Sequence, residues 1–118
     1  MKRLLLVDDD YNFLQLLSSV MKKQCQVYEA TGVQEAIKLL ESVTVDAICS
    51  DFNMCDGTGL DFLKQLRKQE VRVPFILMSA SDDWHILDEV QRLGASFCCK
   101  TDYDFVERIK KNINQRYV

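Results

Sequence analysis

The chain has 118 residues, of which 47% are hydrophobic, and its 15 lysines and arginines against 18 aspartates and glutamates give a net charge of −3. This length predicts one compact domain over residues 1–118, without room for a second domain of ordinary size. The acidic balance argues against direct nucleic-acid binding, and the apolar runs are shorter than the roughly 18 residues that a membrane span needs.

The five cysteines bear on the redox compartment of the protein, and with the single histidine, His85, they bear on zinc binding. Five cysteines form an odd set without CxxC spacing, which argues against a disulfide framework and against most zinc-site patterns. The amino-terminal apolar run, Leu4–Val7, is too short for a signal peptide and leads into three acids. We therefore expect reduced thiols and a cytoplasmic location.

Short apolar runs alternate with helix-period stretches, which is typical of βα units around a parallel sheet. The first strand is predicted at Leu4–Val7 and the second at Gln26–Ala30. The helix between them has an apolar stripe made by Phe13, Leu14, Leu16, Leu17, Val20 and Met21. A second helix follows Gly32, with an apolar face made by Ala36, Ile37, Leu39 and Leu40.

The third strand is predicted at Val45–Ser50, and a loop follows it at Asp51–Gly59. This loop contains an Asp-Gly pair and a second glycine, so we expect unusual backbone angles in it. The third helix has an apolar stripe made by Leu60, Leu63 and Leu66. The fourth strand begins at Pro74, since a missing N–H costs a strand least at its first position.

The last third of the chain predicts two helices around one strand. A helix from about Asp82 ends at Gly94, which takes the C′ position that favours glycine. The fifth strand is Ser96–Cys99, and the last helix has Asp102 as its predicted N-cap. Five βα units therefore fit the chain.

Polar side chains follow four of the five predicted strands, at the edge where open α/β sheets bind ligands. They are Asp8, Asp9 and Asp10 after the first strand, Asp51 after the third, Ser79 at the end of the fourth and Lys100 after the fifth. Each has an ordinary structural role open to it, such as helix N-cap for Asp10, a turn for Ser79 or a solvated side chain for Lys100. Their occurrence together at four strand ends favours a common site.

The carboxylates at this edge need a positive partner. If the first and third strands are neighbours, about 4.8 Å apart, Asp8, Asp9 and Asp51 share one small pocket. Two carboxylates about 5 Å apart repel by roughly 3 kcal/mol at an effective dielectric near 20. Lys100 offsets one charge, and the oxygen ligands that remain suit Mg²⁺, which needs only one or two carboxylates.

With these residues the sequence resembles the receiver domain of two-component response regulators, including the single-domain chemotaxis type, over essentially its whole length. The matching segments are LLLVDDD, AICSDFNMCDGTGLDF, ILMSA and GASFCCK. The resemblance implies a flavodoxin-like doubly wound (βα)5 fold of the α/β class, with a parallel five-stranded sheet in the order 2-1-3-4-5. This order also places the first and third strands side by side.

The resemblance implies a phosphoacceptor site with a metal ion. Asp51 would accept a phosphoryl group from a phosphohistidine in a Mg²⁺-dependent transfer. Asp9 would bind Mg²⁺ directly, Asp8 would hold a metal-bound water, and Asn53 would offer its backbone carbonyl. Lys100 would contact the phosphoryl oxygens.

The resemblance also implies a conformational switch. Ser79 would contact the phosphoryl oxygens as Lys100 does, and it would be drawn inward by their charge. The space that it vacates would admit the ring of Phe97, three residues before the lysine. A surface around the Trp84 helix would then repack.

The implied partners are a sensor histidine kinase or a histidine phosphotransfer protein and a downstream protein target, with no direct nucleic-acid contact and no membrane. The implied class is a signalling domain that assists its own phosphorylation and dephosphorylation, not an enzyme acting on other substrates. Two residues depart from the family pattern: Thr101 and Cys55 stand where proline is usual. Because a cis bond before a non-proline residue costs roughly 2.5–4 kcal/mol, we expect a trans bond before Thr101 and an altered loop after it.

Two alternative functions stay open. One is a receiver fold that acts as an adaptor without phosphorylation, although the complete acid set disfavours it. The other is a haloacid-dehalogenase-type phosphatase, since Asp8 and Asp10 have its D-x-D spacing. Asn12 stands where that motif favours Thr or Val, and no acid pair ends a strand after Lys100.

Overall fold

The computed structural model describes residues 1–80 and 83–114, which form a parallel five-stranded sheet between two layers of helices. The strands are β1 (Arg3–Val7), β2 (Gln26–Ala30), β3 (Ala47–Asp51), β4 (Phe75–Ser79) and β5 (Ser96–Cys99). Their spatial order is β2-β1-β3-β4-β5, and each pairs in parallel with its neighbours. The predicted flavodoxin-like fold and strand order are confirmed.

Within the described residues, four helices connect these strands in chain order and a fifth follows β5. They are α1 (Tyr11–Met21), α2 (Val33–Leu40), α3 (Gly59–Lys68), α4 (Leu87–Arg92), which a 3₁₀ turn (Trp84–Ile86) precedes, and α5 (Phe105–Ile113). The Asp10 side chain accepts a hydrogen bond of 3.2 Å from the Phe13 N–H and caps α1. Gly94 follows the last cap residue of α4 with φ at +72°. Both capping predictions are therefore confirmed.

The alternation of side chains along each strand divides the core into two. Leu4 and Leu6 of β1 face α1 and α5, whereas Leu5 and Val7 face α2, α3 and α4. Because helices cover both faces, β3 and β4 are buried along their whole length. This accounts for their continuously apolar sequences, which are typical of parallel strands.

The structure corrects two sequence predictions and delimits a third. Leu16 is 67% exposed, since the buried face of α1 is formed instead by Leu14, Leu17, Ser18 and Met21. Asp102 does not cap α5, because its carboxylate accepts hydrogen bonds from the Cys99 N–H and the Arg108 guanidinium. The predicted helix start at Asp82 lies outside the described residues, and helical structure after it begins with the 3₁₀ turn at Trp84.

Three smaller features bear on the sequence predictions. The Lys100–Thr101 peptide bond is trans, as expected. The five cysteines all lie in the described ranges and are free thiols, of which Cys55 is exposed. Among residues 1–80 and 83–114, we find no helix long and apolar enough to serve as a membrane span.

Candidate functional site

Three carboxylates converge where β1 and β3 end side by side. Val7 pairs with Ser50 in the sheet, so the residues that follow them, Asp8 and Asp51, emerge next to each other. Each of Asp8, Asp9 and Asp51 offers a carboxylate oxygen, and these oxygens lie within 4.8 Å of one another. Asp8 is fully buried and Asp51 is 8% exposed, whereas Asp9 is exposed to solvent. The structure therefore brings the three acids together.

Lys100, at the end of β5, is the cation that faces these acids. Its Nζ lies 2.7 Å from Asp8 Oδ2 and 3.3 Å from Asp51 Oδ1, and 4.3 Å from the centre of the Phe13 ring. Asp8 Oδ1 accepts from the Asp10 N–H at 2.9 Å, which fixes the orientation of the carboxylate. Burial disfavours the charge of Lys100, but Asp8 and Asp51 outweigh it and raise the pKa of the ammonium.

The surroundings of Asp51 disfavour the charge on its carboxylate. Burial and the neighbouring Asp8 carboxylate raise the pKa of Asp51 from 3.8 to about 6, although Lys100 and the Phe52 N–H act in the opposite direction. Asp51 is therefore ionised at neutral pH at a cost in stability. A perturbed carboxylate at a strand end is a recognised mark of a functional site.

Glycines bring the loop after β3 against Asp51. The loop folds as a short antiparallel hairpin that pairs Asn53–Met54 with Gly57–Thr58, with Gly57 at φ +148°. A Cβ on Gly59 would lie 2.2 Å from the Asp51 backbone oxygen, so no larger residue fits there without displacing the strand end. Of the two loop glycines, only Gly57 has the expected positive φ. Gly59 is required because its backbone lies directly against that of Asp51.

Asp56 is a residue of this hairpin that the sequence analysis missed. Its carboxylate accepts 2.9 Å and 3.0 Å hydrogen bonds from the N–H groups of Val33 and Gln34, at the first turn of α2. The Gln34 and Val33 N–H groups lower the pKa of Asp56. Because the capped helix lies more than twenty residues away along the chain, no local sequence signal reveals this contact. The contact ties the hairpin beside Asp51 to α2.

The predicted switch residues lie on the two strands beyond β3, with Ser79 at the end of β4 and Phe97 within β5. Ser79 is 2% exposed, its hydroxyl donates to the Asp83 carboxylate, and its carbonyl accepts from the Lys100 N–H at 2.7 Å. Phe97 is 5% exposed, with its ring centroid 5.4 Å from that of Trp84 in an edge-on contact. The Phe97 ring is thus already turned inward, so its rotation stays a prediction for another state. The contact with Asp83 was not anticipated.

The donor set fits a hard divalent cation. The three carboxylates supply oxygens only, and Lys100 compensates one of their charges. Mg²⁺ prefers oxygen ligands, retains several waters and needs few protein ligands, which suits an edge where Asp9 is open to solvent. Asn53, two residues after Asp51, is exposed at the start of the hairpin.

The fold and this acidic site together define a class of protein. The family model of the response regulator receiver domain matches residues 4–112, so the chain belongs to the receiver domains of two-component response regulators. Such domains are signalling domains. The pocket of Asp8, Asp9 and Asp51 fits a phosphoacceptor site with Mg²⁺.

The chain is similar to part of two curated regulatory proteins. The regulatory protein AtoC of Escherichia coli K12 is 32% identical over 94 residues, which are 79% of this chain and 20% of AtoC. The response regulator SaeR of Staphylococcus epidermidis is 28% identical over 115 residues, 97% of this chain and 50% of SaeR. The chain spans half or less of the length of these curated relatives.

Solved receiver domains superimpose over nearly the whole chain. The non-phosphorylated HemR receiver domain from Leptospira biflexa has a TM-score of 0.90 and 25% identity, covering 100% of this chain and 98% of its own. The response regulator TrrA from Thermotoga maritima, solved in complex with Mg²⁺ and BeF, has a TM-score of 0.79 and 27% identity, covering 95% and 99%.

Proposed function

We propose that residues 1–118 form one receiver domain in which Asp51 accepts a phosphoryl group from a phosphohistidine. The observation that carries this proposal is the buried contact of Lys100 with both Asp8 and Asp51, beside the exposed Asp9. The donor is a sensor histidine kinase or a histidine phosphotransfer protein, and the output is a contact with a downstream protein target. The domain acts in the cytoplasm, without direct contact with nucleic acid or membrane.

The chemistry is an in-line displacement at phosphorus. A carboxylate oxygen of Asp51 forms the new P–O bond while the P–N bond to the donor imidazole breaks, and the electron pair stays on that nitrogen. Lys100 already lies 3.3 Å from the Asp51 carboxylate, so it neutralises charge on the transferred oxygens without reorganisation. Such transfer depends mainly on positioning and on charge neutralisation.

Asp8, Asp9, Asp51 and the Asn53 carbonyl would hold Mg²⁺ in this site. Mg²⁺ held by these residues would supply positive charge to the phosphoryl oxygens. Together with Ser79 and Lys100, the same residues assist hydrolysis of the acyl phosphate, so the domain promotes both its own phosphorylation and its own dephosphorylation. Ser79 and Phe97 couple the phosphorylation of Asp51 to the conformation of the surface around Trp84.

Mg²⁺ is expected to stabilise the fold by relieving the repulsion among the three carboxylates. With a dissociation constant of about 1 mM, 10 mM Mg²⁺ adds roughly 1.4 kcal/mol, which raises the melting temperature by several degrees for a domain of this size. Asp9→Asn should abolish the rise. Asp10→Asn is the matched control, because asparagine also caps helices, and it should keep the rise. An unchanged wild-type melting curve would contradict the metal site.

The proposal is tested with acetyl phosphate, which replaces the protein donor. In the presence of Mg²⁺, wild-type protein should gain the mass of one phosphoryl group, and the adduct should be labile to base and to hydroxylamine. Asp51→Ala should gain none. Absence of an adduct in folded wild-type protein would favour the adaptor that acts without phosphorylation.

A further inference from the structure

The hydroxyl of Ser79 is held by a residue outside the phosphoacceptor site. Ser79 ends β4 and is nearly fully buried, and its side chain donates to the carboxylate of Asp83. A serine hydroxyl has one proton to donate. While that proton is shared with Asp83, it is not available to a phosphoryl oxygen on Asp51.

The placement of Asp83 makes this contact distinctive. Asp83 occupies the N-cap position of the 3₁₀ turn Trp84–Ile86, and its backbone oxygen accepts from the Ile86 N–H at 3.1 Å. An aspartate in this position usually accepts a hydrogen bond from its own turn with its side chain. Within this described turn the Asp83 side chain makes no such cap. The carboxylate is directed to Ser79 instead.

The same contact reaches the surface through the next residue. Trp84 is 56% exposed and rests edge-on against the buried ring of Phe97. The Asp83 side chain is hydrogen-bonded to Ser79, and Trp84 is the next residue in the chain. The Ser79–Asp83 hydrogen bond therefore lies directly beside the turn whose tryptophan contacts Phe97.

We propose that Asp83 is a positioning residue that competes with the phosphoryl group for the Ser79 hydroxyl and thereby holds the Trp84 turn closed over Phe97. This inference rests on the proposed function of Asp51. A ligand shifts a conformational equilibrium only through interactions that differ between the two states, and here the difference is the acceptor of the Ser79 proton. Asp83 therefore sets the concentration of a phosphoryl ligand at which the turn opens.

The test is the half-saturating concentration of beryllofluoride, a phosphoryl mimic, measured with Mg²⁺ at neutral pH. Trp84 is the one tryptophan of the chain, so its fluorescence reports the turn. Asp83→Ala should lower the half-saturating concentration about tenfold, a factor that corresponds to about 1.4 kcal/mol. Asp83→Asn, which keeps a neutral acceptor, should fall between the wild type and Asp83→Ala. The emission of metal-free Asp83→Ala should already approach that of saturated wild type.

Asp83→Ala removes a negative charge, which by itself strengthens the binding of an anion such as beryllofluoride. The same substitution is therefore also made in a Ser79→Ala background. There the donor is gone and the turn is already released, so the readout is the rate of phosphoryl uptake from acetyl phosphate. Asp83→Ala should change this rate much less than in wild type, as coupled residues in a double-mutant cycle do. Asp88→Ala is the matched control, because Asp88 is exposed and pairs with Arg92. It should behave as wild type.

A second readout does not depend on fluorescence. The rate at which low concentrations of acetyl phosphate add a phosphoryl mass should rise in Asp83→Ala and stay at the wild-type value in Asp88→Ala. An unchanged or higher half-saturating concentration in Asp83→Ala, or an equal effect of Asp83→Ala with and without Ser79, would overturn the role of Asp83. Failure of the proposed function is distinct, since wild-type protein would then take up neither beryllofluoride nor a phosphoryl group.

Discussion

Lys100→Met should lower the free energy of unfolding by about 3–5 kcal/mol at neutral pH without divalent cations, which is the range for removing one partner of a buried ion pair. The ammonium group lies within 3.3 Å of Asp51 and closer to Asp8, and the three side chains are 13%, 11% and 1% exposed. Methionine keeps an unbranched side chain at this position but removes the ammonium from the Phe13 ring and leaves both carboxylates without their cation. Urea denaturation with a chelator present measures the loss.

Two comparisons separate this effect from a general intolerance of substitution. Lys64→Met removes a 2.9 Å ion pair to Glu89 in which both side chains are about half exposed, and it should leave stability nearly unchanged. Added Mg²⁺ should restore part of the stability of Lys100→Met, because it supplies positive charge to the same carboxylates. A loss in Lys100→Met no larger than that in Lys64→Met would mean that the buried acids are neutral or solvated.

Asp51→Asn should have the opposite effect and stabilise the metal-free fold by about 2–3 kcal/mol at pH 7. The pKa of Asp51 is about 6 in the folded protein in place of 3.8, so folding disfavours the charged carboxylate. Each unit of this difference in pKa corresponds to about 1.4 kcal/mol of folding free energy. At pH 7, above both values, this cost is fully present. Asparagine removes the charge and with it the cost.

The pH dependence has a defined sign. As the pH falls through about 6, the folded wild type takes up a proton at Asp51 before the unfolded chain does, so wild-type protein gains stability relative to Asp51→Asn. The difference between the two proteins should shrink below pH 6 and vanish only below pH 3.8, where Asp51 is protonated in the unfolded chain as well. Asp61→Asn, an exposed acid in the first turn of α3, is the control and should show no such stabilisation. A destabilised Asp51→Asn would contradict the raised pKa.

Local sequence patterns were sufficient for most of the fold and for the acids of the site. The strand at Gln26–Ala30 and the strand at Ser96–Cys99 were predicted with the observed bounds, because period and β-branched or aromatic content are local properties. The caps at Asp10 and Gly94 follow from chemistry within one helical turn. The strand order followed from the family resemblance and agreed with the need to place Asp8 beside Asp51.

The missed features depend on tertiary packing and on the irregular geometry of loops. Asp102 has a residue type suited to an N-cap, but its carboxylate accepts hydrogen bonds from the Cys99 N–H and the Arg108 guanidinium instead. Leu16 was assigned to the apolar stripe by residue type, whereas the packing of α1 on the sheet decides which face is buried. Asp56 binds a helix more than twenty residues away along the chain, which tertiary structure alone brings to it. Asp83 lies only four residues after Ser79, but in an irregular loop to which no spacing rule applies.

Chemical mapping of the phosphorylated residue tests the central claim most directly. After treatment with acetyl phosphate and Mg²⁺, borohydride reduces an aspartyl phosphate to homoserine and leaves a phosphoserine intact. Tryptic fragments then separate Asp51, in residues 39–64, from Asp8 and Asp9, in residues 4–22, and from Ser79, in residues 73–92. Homoserine at position 51 alone is the predicted result. A phosphoserine at Ser79, or homoserine at position 8 or 9 with position 51 unchanged, would contradict the assignment of Asp51 as the phosphoacceptor.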